Sequence, residues 1–301
     1  MKGTRELFFE PISLERQKDY LSRLSRCPQV TSDYSLTNLW AWAHEYGLEW
    51  AWEGDLVWIR QGRPDESFWA PVGPWEEIDW QSSFEENRDE ETSFIRVPQR
   101  LAESWQTSFE DLATVEEERG HWDYIYNVED LTKLEGKSYH KKKNLLNQFI
   151  KKYDSTYVPL EPGLIEQGKG MQDNWCTWRD CESSDILAAE NRSISRIFDY
   201  WDQLSGTLGG AIIVDHVMVA YTVAEALTNE MVVIHFEKGD TQYKGVYQAI
   251  NQMFLADSAT HFSLVNREQD LDDPGLRKAK LSYHPAKFLK KYRVTIKGKP
   301  R

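Results

Sequence analysis

Two groups of residues in this chain are of types that do chemistry. His235 and Glu237 stand two apart at the end of an apolar run that begins at Met231, with Glu225 on the run before it. Such a run reads as a buried strand, and strand alternation puts His235 and Glu237 on one face. An imidazole and a carboxylate so placed offer a general base, or else a buried structural pair. The second group is Asn266, Arg267, Glu268 and Asp270, followed by Arg277, Lys280 and Tyr283. His261 to Val265 reads as a strand. Asp273 then sits at a helix N-cap with Pro274 at the first helical position, and Pro285 stops the helix. A strand end that leads through a polar loop into a capped helix is a common site geometry in α/β sheets. There Arg267 and Lys280 would face one anionic group, with Glu268 and Asp270 orienting them. A structural network bracing loop to helix is the other reading.

The elements that must carry these residues alternate along the chain. Glu6 to Glu10 is a strand candidate, Ser13 caps a helix through Leu24, and Ser35 opens a helix, Leu36 to Tyr46, that Gly47 closes. A hairpin turns at Glu53-Gly54-Asp55. Strands are expected at Ser67 to Val72, Ser93 to Val97 and Leu112 to Val115, with helices from Glu76 to Phe84 and Arg100 to Gln106. From Asp123 the order recurs. Asp123 to Asn127 is a strand, Ser138 to Tyr153 a helix and Ser155 to Leu160 extended. Helices follow at Leu164 to Arg179, which Gly168 and Gly170 interrupt, and at Ile186 to Leu204. A hairpin through Asp215-His216, the strand from Met231 and a helix from Thr241 to Ala256 lead to the second group, and Leu289 to Ile296 is the last strand. The halves share an order of elements, not of residues, so a duplicated unit is expected, residues 1–120 and 121–301.

Composition narrows the class. With 40% hydrophobic and 28% charged residues the chain is of ordinary globular type, and no run of about 18 apolar residues marks a membrane span. Its start lacks the apolar core of a signal peptide. Cys27, Cys176 and Cys181 form no Cys-x-x-Cys pair and the seven histidines are scattered, so a reducing cytoplasm is expected and a metal site is not. The net charge of −13 lies wholly in residues 1–120, which hold 12 Lys and Arg against 25 Asp and Glu. A solvated acidic surface accounts for this, and the charge argues against extensive tRNA contact unless the basic clusters converge on one face. Basic clusters at Lys141-Lys142-Lys143 with Lys151-Lys152, and from Lys287 to Lys299, either meet an anionic partner or are solvated helix faces and tail. Ten of thirteen tryptophans lie between Trp40 and Trp122, as an aromatic core or as the wall of an apolar site.

The element order resembles the GCN5-related acetyltransferase (GNAT) fold, and particular segments resemble one bacterial family. These are Asp33-Tyr34-Ser35-Leu36-Thr37-Asn38-Leu39-Trp40, Asp123-Tyr124-Ile125-Tyr126, Leu134-Glu135-Gly136-Lys137-Ser138-Tyr139-His140, Asn266-Arg267-Glu268-Gln269-Asp270-Leu271 and Gly275-Leu276-Arg277-Lys278-Ala279-Lys280-Leu281-Ser282-Tyr283. The family is the one related to the C-terminal domain of phosphatidylglycerol lysyltransferases. The resemblance implies an α/β fold of two tandem GNAT-like domains with mixed, mostly antiparallel sheets, distantly similar to Fem-type aminoacyltransferases. It implies an acyl or aminoacyl donor, either acyl-coenzyme A or aminoacyl-tRNA, and an amine or hydroxyl acceptor. No stretch corresponds to the membrane-embedded region of the lysyltransferases, which counts against a lipid acceptor.

Acetyltransferases hold the coenzyme A pyrophosphate on a Gln/Arg-x-x-Gly-x-Gly/Ala loop at a helix N-terminus. The corresponding place reads Gln242-Tyr243-Lys244-Gly245-Val246-Tyr247, with bulky Tyr247 where a small residue belongs. Gln242 and Gly245 are therefore cofactor-binding candidates, and Tyr247 joins His235 and Glu237 as a catalytic candidate, as donor to a leaving group. The first half has Val72-Gly73-Pro74-Trp75 there and has lost the pattern, so it reads as scaffold or acceptor wall. A ligand-binding or regulatory module that kept the fold and lost the reaction is the alternative.

Overall fold

In a computed structural model that describes residues 7–84 and 91–298, the chain folds as two units, each around a seven-stranded sheet. The first comprises Met1–Asp123, Gln269–Asp273 and Leu289–Arg301; the second comprises Tyr124–Glu268 and Pro274–Phe288. Glu6, the opening residues and Lys299 lie outside the described residues.

The first stretch begins with β1 (Glu10–Pro11), α1 (Gln17–Leu24) and α2 (Leu36–Tyr46). Ser35 caps α2 by accepting from the Asn38 N–H, and Gly47 ends it at φ 58°, a conformation that costs glycine little. The hairpin β2 (Leu48–Glu53) and β3 (Leu56–Gln61) turns on Gly54 at φ 56°. Next come β4 (Ser67–Trp69), α3 (Trp80–Ser83), β5 (Thr92–Pro98), α4 (Gln99–Phe109) and β6 (Ala113–Glu117). The expected helix from Glu76 to Phe84 is thus one short turn at Trp75–Glu77 and the four residues of α3. Tryptophans fill this core. Trp50, Trp80 and Trp105 are buried, and Trp105 packs at 4.8 Å from Phe94 and edge-on to Trp80 at 5.4 Å. These three rings belong to the core, whereas Trp75 lines a surface cavity with Pro28, Glu76 and Arg100.

The second stretch holds β7 (Asp123–Asn127), α5 (Val128–Lys133), α6 (His140–Lys152), β8 (Ser155–Pro159), α7 (Ile165–Arg179) and α8 (Asp185–Asp199). Then come β9 (Thr207–Val214), β10 (Val217–Ala226), β11 (Met231–Gly239), α9 (Val246–Asp257), β12 (Leu264–Asn266), α10 (Pro274–Leu281), β13 (Lys287–Leu289) and β14 (Lys291–Ile296). Helix α7 runs through Gly168 and Gly170. Gly168 is where α8 crosses: a Cβ there would stand 3.2 Å from the Phe198 ring, so the glycine serves close packing. Cys176 and Cys181 are joined as a disulfide at the end of α7, in contrast to the reduced pair expected. Tyr124, Phe149, Ile234, Ile250, Phe254 and Val265 centre the core between the second sheet and α5, α6 and α9.

Strand order explains why the units interleave in sequence. The first sheet runs β1-β2-β3-β4-β5-β14-β6 and the second β8-β9-β10-β11-β12-β7-β13, the same order with β14 and β7 in equivalent places. Each sheet has a parallel pair, β4–β5 or β11–β12, flanked by antiparallel neighbours. The last strand, placed with the second half by sequence order, therefore pairs with β5 and β6 of the first sheet. Strand pairing between distant segments leaves no local mark in sequence.

Candidate functional site

The second unit's parallel pair opens into a split. Only Met231–Val233 of β11 pairs with Leu264–Asn266 of β12, and β11 continues alone on that side to Gly239. Against β10, Val223 faces Phe236 while Ala224 faces Ile234, so His235 is an extra residue, a β-bulge. The bulge breaks the alternation that would have put His235 and Glu237 on one face. His235 Nε2 turns to Glu225 Oε2 at 3.4 Å, whereas Glu237 Oε1 accepts from Asn251 Nδ2 of α9 at 2.8 Å.

Two charged pairs bridge the split. His235 Nδ1 lies 2.8 Å from Glu268 Oε1, and Arg267 Nη2 donates to Glu237 Oε2 at 2.5 Å. The loop that delivers Arg267 and Glu268 is set by Asn266. Its buried side-chain oxygen accepts from the Glu268 N–H at 2.8 Å, an Asx turn that holds Glu268 at φ 56°. The His235 ring is fully enclosed, while the Glu268 side chain keeps 20% of its surface in solvent. Glu268 is thus the most exposed carboxylate of this group.

Burial alone would push the His235 imidazole down, but hydrogen bonds and charge from Glu225 and Glu268 lift it to about 9. A value so raised favours the imidazolium at neutral pH, which argues against His235 as a general base. A raised folded value contributes stability that is fully present below the unfolded value of about 6.5 and is lost as pH rises through about 9. Urea melts between pH 6.5 and 9.5 are expected to show a decline of roughly 3 kcal/mol that His235→Gln abolishes. A decline of equal size in the variant would assign it to other groups.

The remaining candidates separate. Lys280 Nζ donates to the Arg267 carbonyl oxygen and so braces the loop. Asp270 belongs to the first unit, where it pairs with Arg119 at 3.2 Å and accepts from the Asp272 N–H. Arg277 is half-buried on α10. Tyr283 is buried and its hydroxyl accepts from Gln248 Nε2 of α9 at 3.2 Å. The Tyr247 hydroxyl accepts from Trp175 Nε1 of α7 at 3.3 Å.

Gly245, at φ 93°, stands where any Cβ would come within 2.3 Å of the Leu145 carbonyl oxygen of α6. That approach explains the glycine without a pyrophosphate. The Gln242 carbonyl accepts from Tyr153 Oη, and its N–H is taken by Asp240 Oδ1.

Sequence reasoning missed a second charged cluster, in the first unit. Lys291, fully buried on β14, donates to Asp33 Oδ2 and lies 2.7 Å from Asp123 Oδ1. Arg96 Nη1 reaches Asp33 Oδ1 at 2.5 Å, the Ser32 N–H and hydroxyl donate to Asp123, and Gln269 Nε2 donates to the Ser32 hydroxyl. The available signal was the pair of motifs opening on Asp33 and Asp123. Lys291 itself reads as part of a basic tail.

The profile of the family described as phosphatidylglycerol lysyltransferase, C-terminal, matches residues 25–295. The chain belongs to this family. Among solved structures, a conserved protein of unknown function from Bacteroides thetaiotaomicron VPI-5482 is 26% identical at a TM-score of 0.87, over 97% of this chain and 100% of that one. The C-terminal domain of a protein assigned as a lysylphosphatidylglycerol synthetase, from Agrobacterium fabrum, shares the fold at 12% identity and a TM-score of 0.65, over 94% and 90%. An uncharacterised protein of Mycoplasmoides gallisepticum is 26% identical over 174 residues, 58% of this chain and 56% of that relative, so the match spans just over half its length. The chain has the expected α/β fold of two mixed, mostly antiparallel sheets in tandem GNAT-like arrangement. Among the described residues no helix is long and apolar enough to cross a membrane, and no group of three or more His, Cys, Asp or Glu is arranged to hold a metal.

Proposed function

We propose that this family member is an acyl- or aminoacyl-transferase whose reaction takes place at the split between β11 and β12. The observation that carries the reading is the Glu268 carboxylate, partly open to solvent and fixed on its inner side by the His235 imidazolium. Acyl transfer to an amine needs a group that takes the ammonium proton before the nitrogen attacks the donor carbonyl. Glu268 is suited to that step. The amine then bonds to the carbonyl carbon, the bond to the donor's oxygen or sulfur breaks, Glu268 passes its proton to that leaving atom, and the nitrogen's second proton leaves to solvent through the freed carboxylate. His235 positions Glu268 and offsets its charge, and Asn266 fixes the backbone that presents it. A donor held through ester or thioester chemistry fits, with aminoacyl-tRNA favoured over acyl-coenzyme A because Gly245 and its loop are packed against α6.

The test is a donor panel. Purified protein is incubated with aminoacyl-tRNAs or acyl-coenzyme A and with amine and hydroxyl acceptors, and products are read by mass spectrometry. A donor-dependent mass gain on an acceptor, greater with aminoacyl-tRNA, is expected. No gain with any donor, from protein that is folded, would favour the second reading, a binding module. The mutual pairing of Arg267 with Glu237 and of His235 with Glu268 supports that alternative, since the same pairs would brace an inert split.

A further inference from the structure

Lys142 of α6 and Arg267 converge on one ring. Lys142 Nζ lies 3.9 Å from the centroid of Tyr283, and Arg267 Cζ lies 4.8 Å from the same centroid. Arg267 has Glu237 as its counterion. Among the described residues no carboxylate pairs with Lys142. Burial, with a smaller contribution from the Arg267 charge, lowers the Lys142 ammonium below its ordinary value. A cation–π contact at a buried ring such as Tyr283 is worth up to about 2 kcal/mol, but a second cation on the same ring adds repulsion. Two cations drawn together with one counterion make an arrangement that a ligand anion completes. The flanking Lys141 and Lys143 are exposed and add to the positive potential of α6.

We propose that Lys142 and Arg267, together with the Tyr283 hydroxyl, form a subsite for a phosphate or diphosphate group of a ligand. This deepens the transferase reading of the same unit and rests on it in taking that group to be a phosphate of the donor. A phosphate group offers three acceptor oxygens, enough for the guanidinium edge, the ammonium and the hydroxyl at once, whereas a carboxylate offers two. Gln248 holds the Tyr283 hydroxyl from α9, so the ring is fixed before the ligand arrives. The place differs from the glycine loop at Gly245, which α6 has closed.

The experiment is calorimetric titration of the full chain with inorganic pyrophosphate and with adenosine diphosphate. Wild type and Lys141→Ala are expected to bind alike, and Lys142→Ala at least tenfold more weakly. Unliganded Lys142→Ala should melt at the same temperature as wild type or higher, because a like charge beside Arg267 is gone. The proposal is overturned if neither probe binds wild type, if Lys142→Ala binds as well as wild type, or if Lys142→Ala melts several degrees lower, which would make Lys142 a brace. Binding only to phosphatidylglycerol vesicles, with neither soluble probe bound, would also overturn it. The transferase reading fails separately: probe binding lost in Lys142→Ala, but without acyl transfer by wild type, leaves the subsite standing and removes the donor.

Discussion

Lys291→Met is expected to lower the free energy of unfolding by about 3–5 kcal/mol, the usual result of removing one partner of a buried ion pair. The Lys291 ammonium is fully enclosed between the Asp33 and Asp123 carboxylates, which are themselves buried. Methionine fills a similar volume, so little of the loss would come from a cavity. What remains is two buried carboxylates, with Arg96 against Asp33 and hydroxyl, amide and backbone donors against Asp123. The pH dependence follows the same charges. Burial raises the Asp33 carboxyl, but Lys291 and then Arg96 more than offset it and hold the group well below the usual carboxylate range. A depressed value contributes stability that is present above the unfolded value of about 4 and is lost as pH falls through the folded one. In the variant the acid transition should therefore move to higher pH. Urea melts at pH 7 and acid titrations followed by circular dichroism check both points, and a change under 1 kcal/mol would show the cluster to be hydrated and weak.

The second large effect is on turnover. Glu268→Gln keeps the size of the side chain and its reach to His235 but removes the proton acceptor, and is expected to lower kcat by about 10²–10⁴-fold with little change in KM. His235→Gln should act less strongly and differently. It leaves the carboxylate in place but frees its orientation, so kcat should fall by a smaller factor and the pH profile of kcat should shift. Steady-state kinetics on protein shown to be folded separates these outcomes. Full activity in Glu268→Gln would rule out Glu268 as the base.

Much of the fold was legible because its signals are local. Ser35 and Gly47 bound α2, and Asp215 and His216 turn the β9–β10 hairpin at positive φ, as the sequence pattern indicates. The exchange of β7 and β14 was not legible, because which strands pair is decided by tertiary packing and not by the strands' own residues. The site was half legible for the same reason. Asn266, Arg267 and Glu268 stand out as a polar loop after a strand, but alternation assigns His235 and Glu237 to one face, and only the pairing of β11 with β10 exposes the bulge. Gly245 shows the converse. A glycine in a motif position was as well explained by the Leu145 carbonyl as by a phosphate, and composition cannot tell these apart. Lys142 and Lys291 were both hidden in basic runs, where one buried ammonium looks like its solvated neighbours.

Hydrogen–deuterium exchange with and without a transfer-competent donor tests the central claim most directly, because it locates the site without relying on any substitution. Using whichever aminoacyl-tRNA or acyl-coenzyme A supports transfer in the panel, the account predicts slower exchange over residues 233–239 of β11 and 266–268 after β12. Exchange in the first sheet, around Asp33 and Lys291, should be unchanged. Protection confined to the first unit, with β11 and the loop after β12 unaffected, would contradict it.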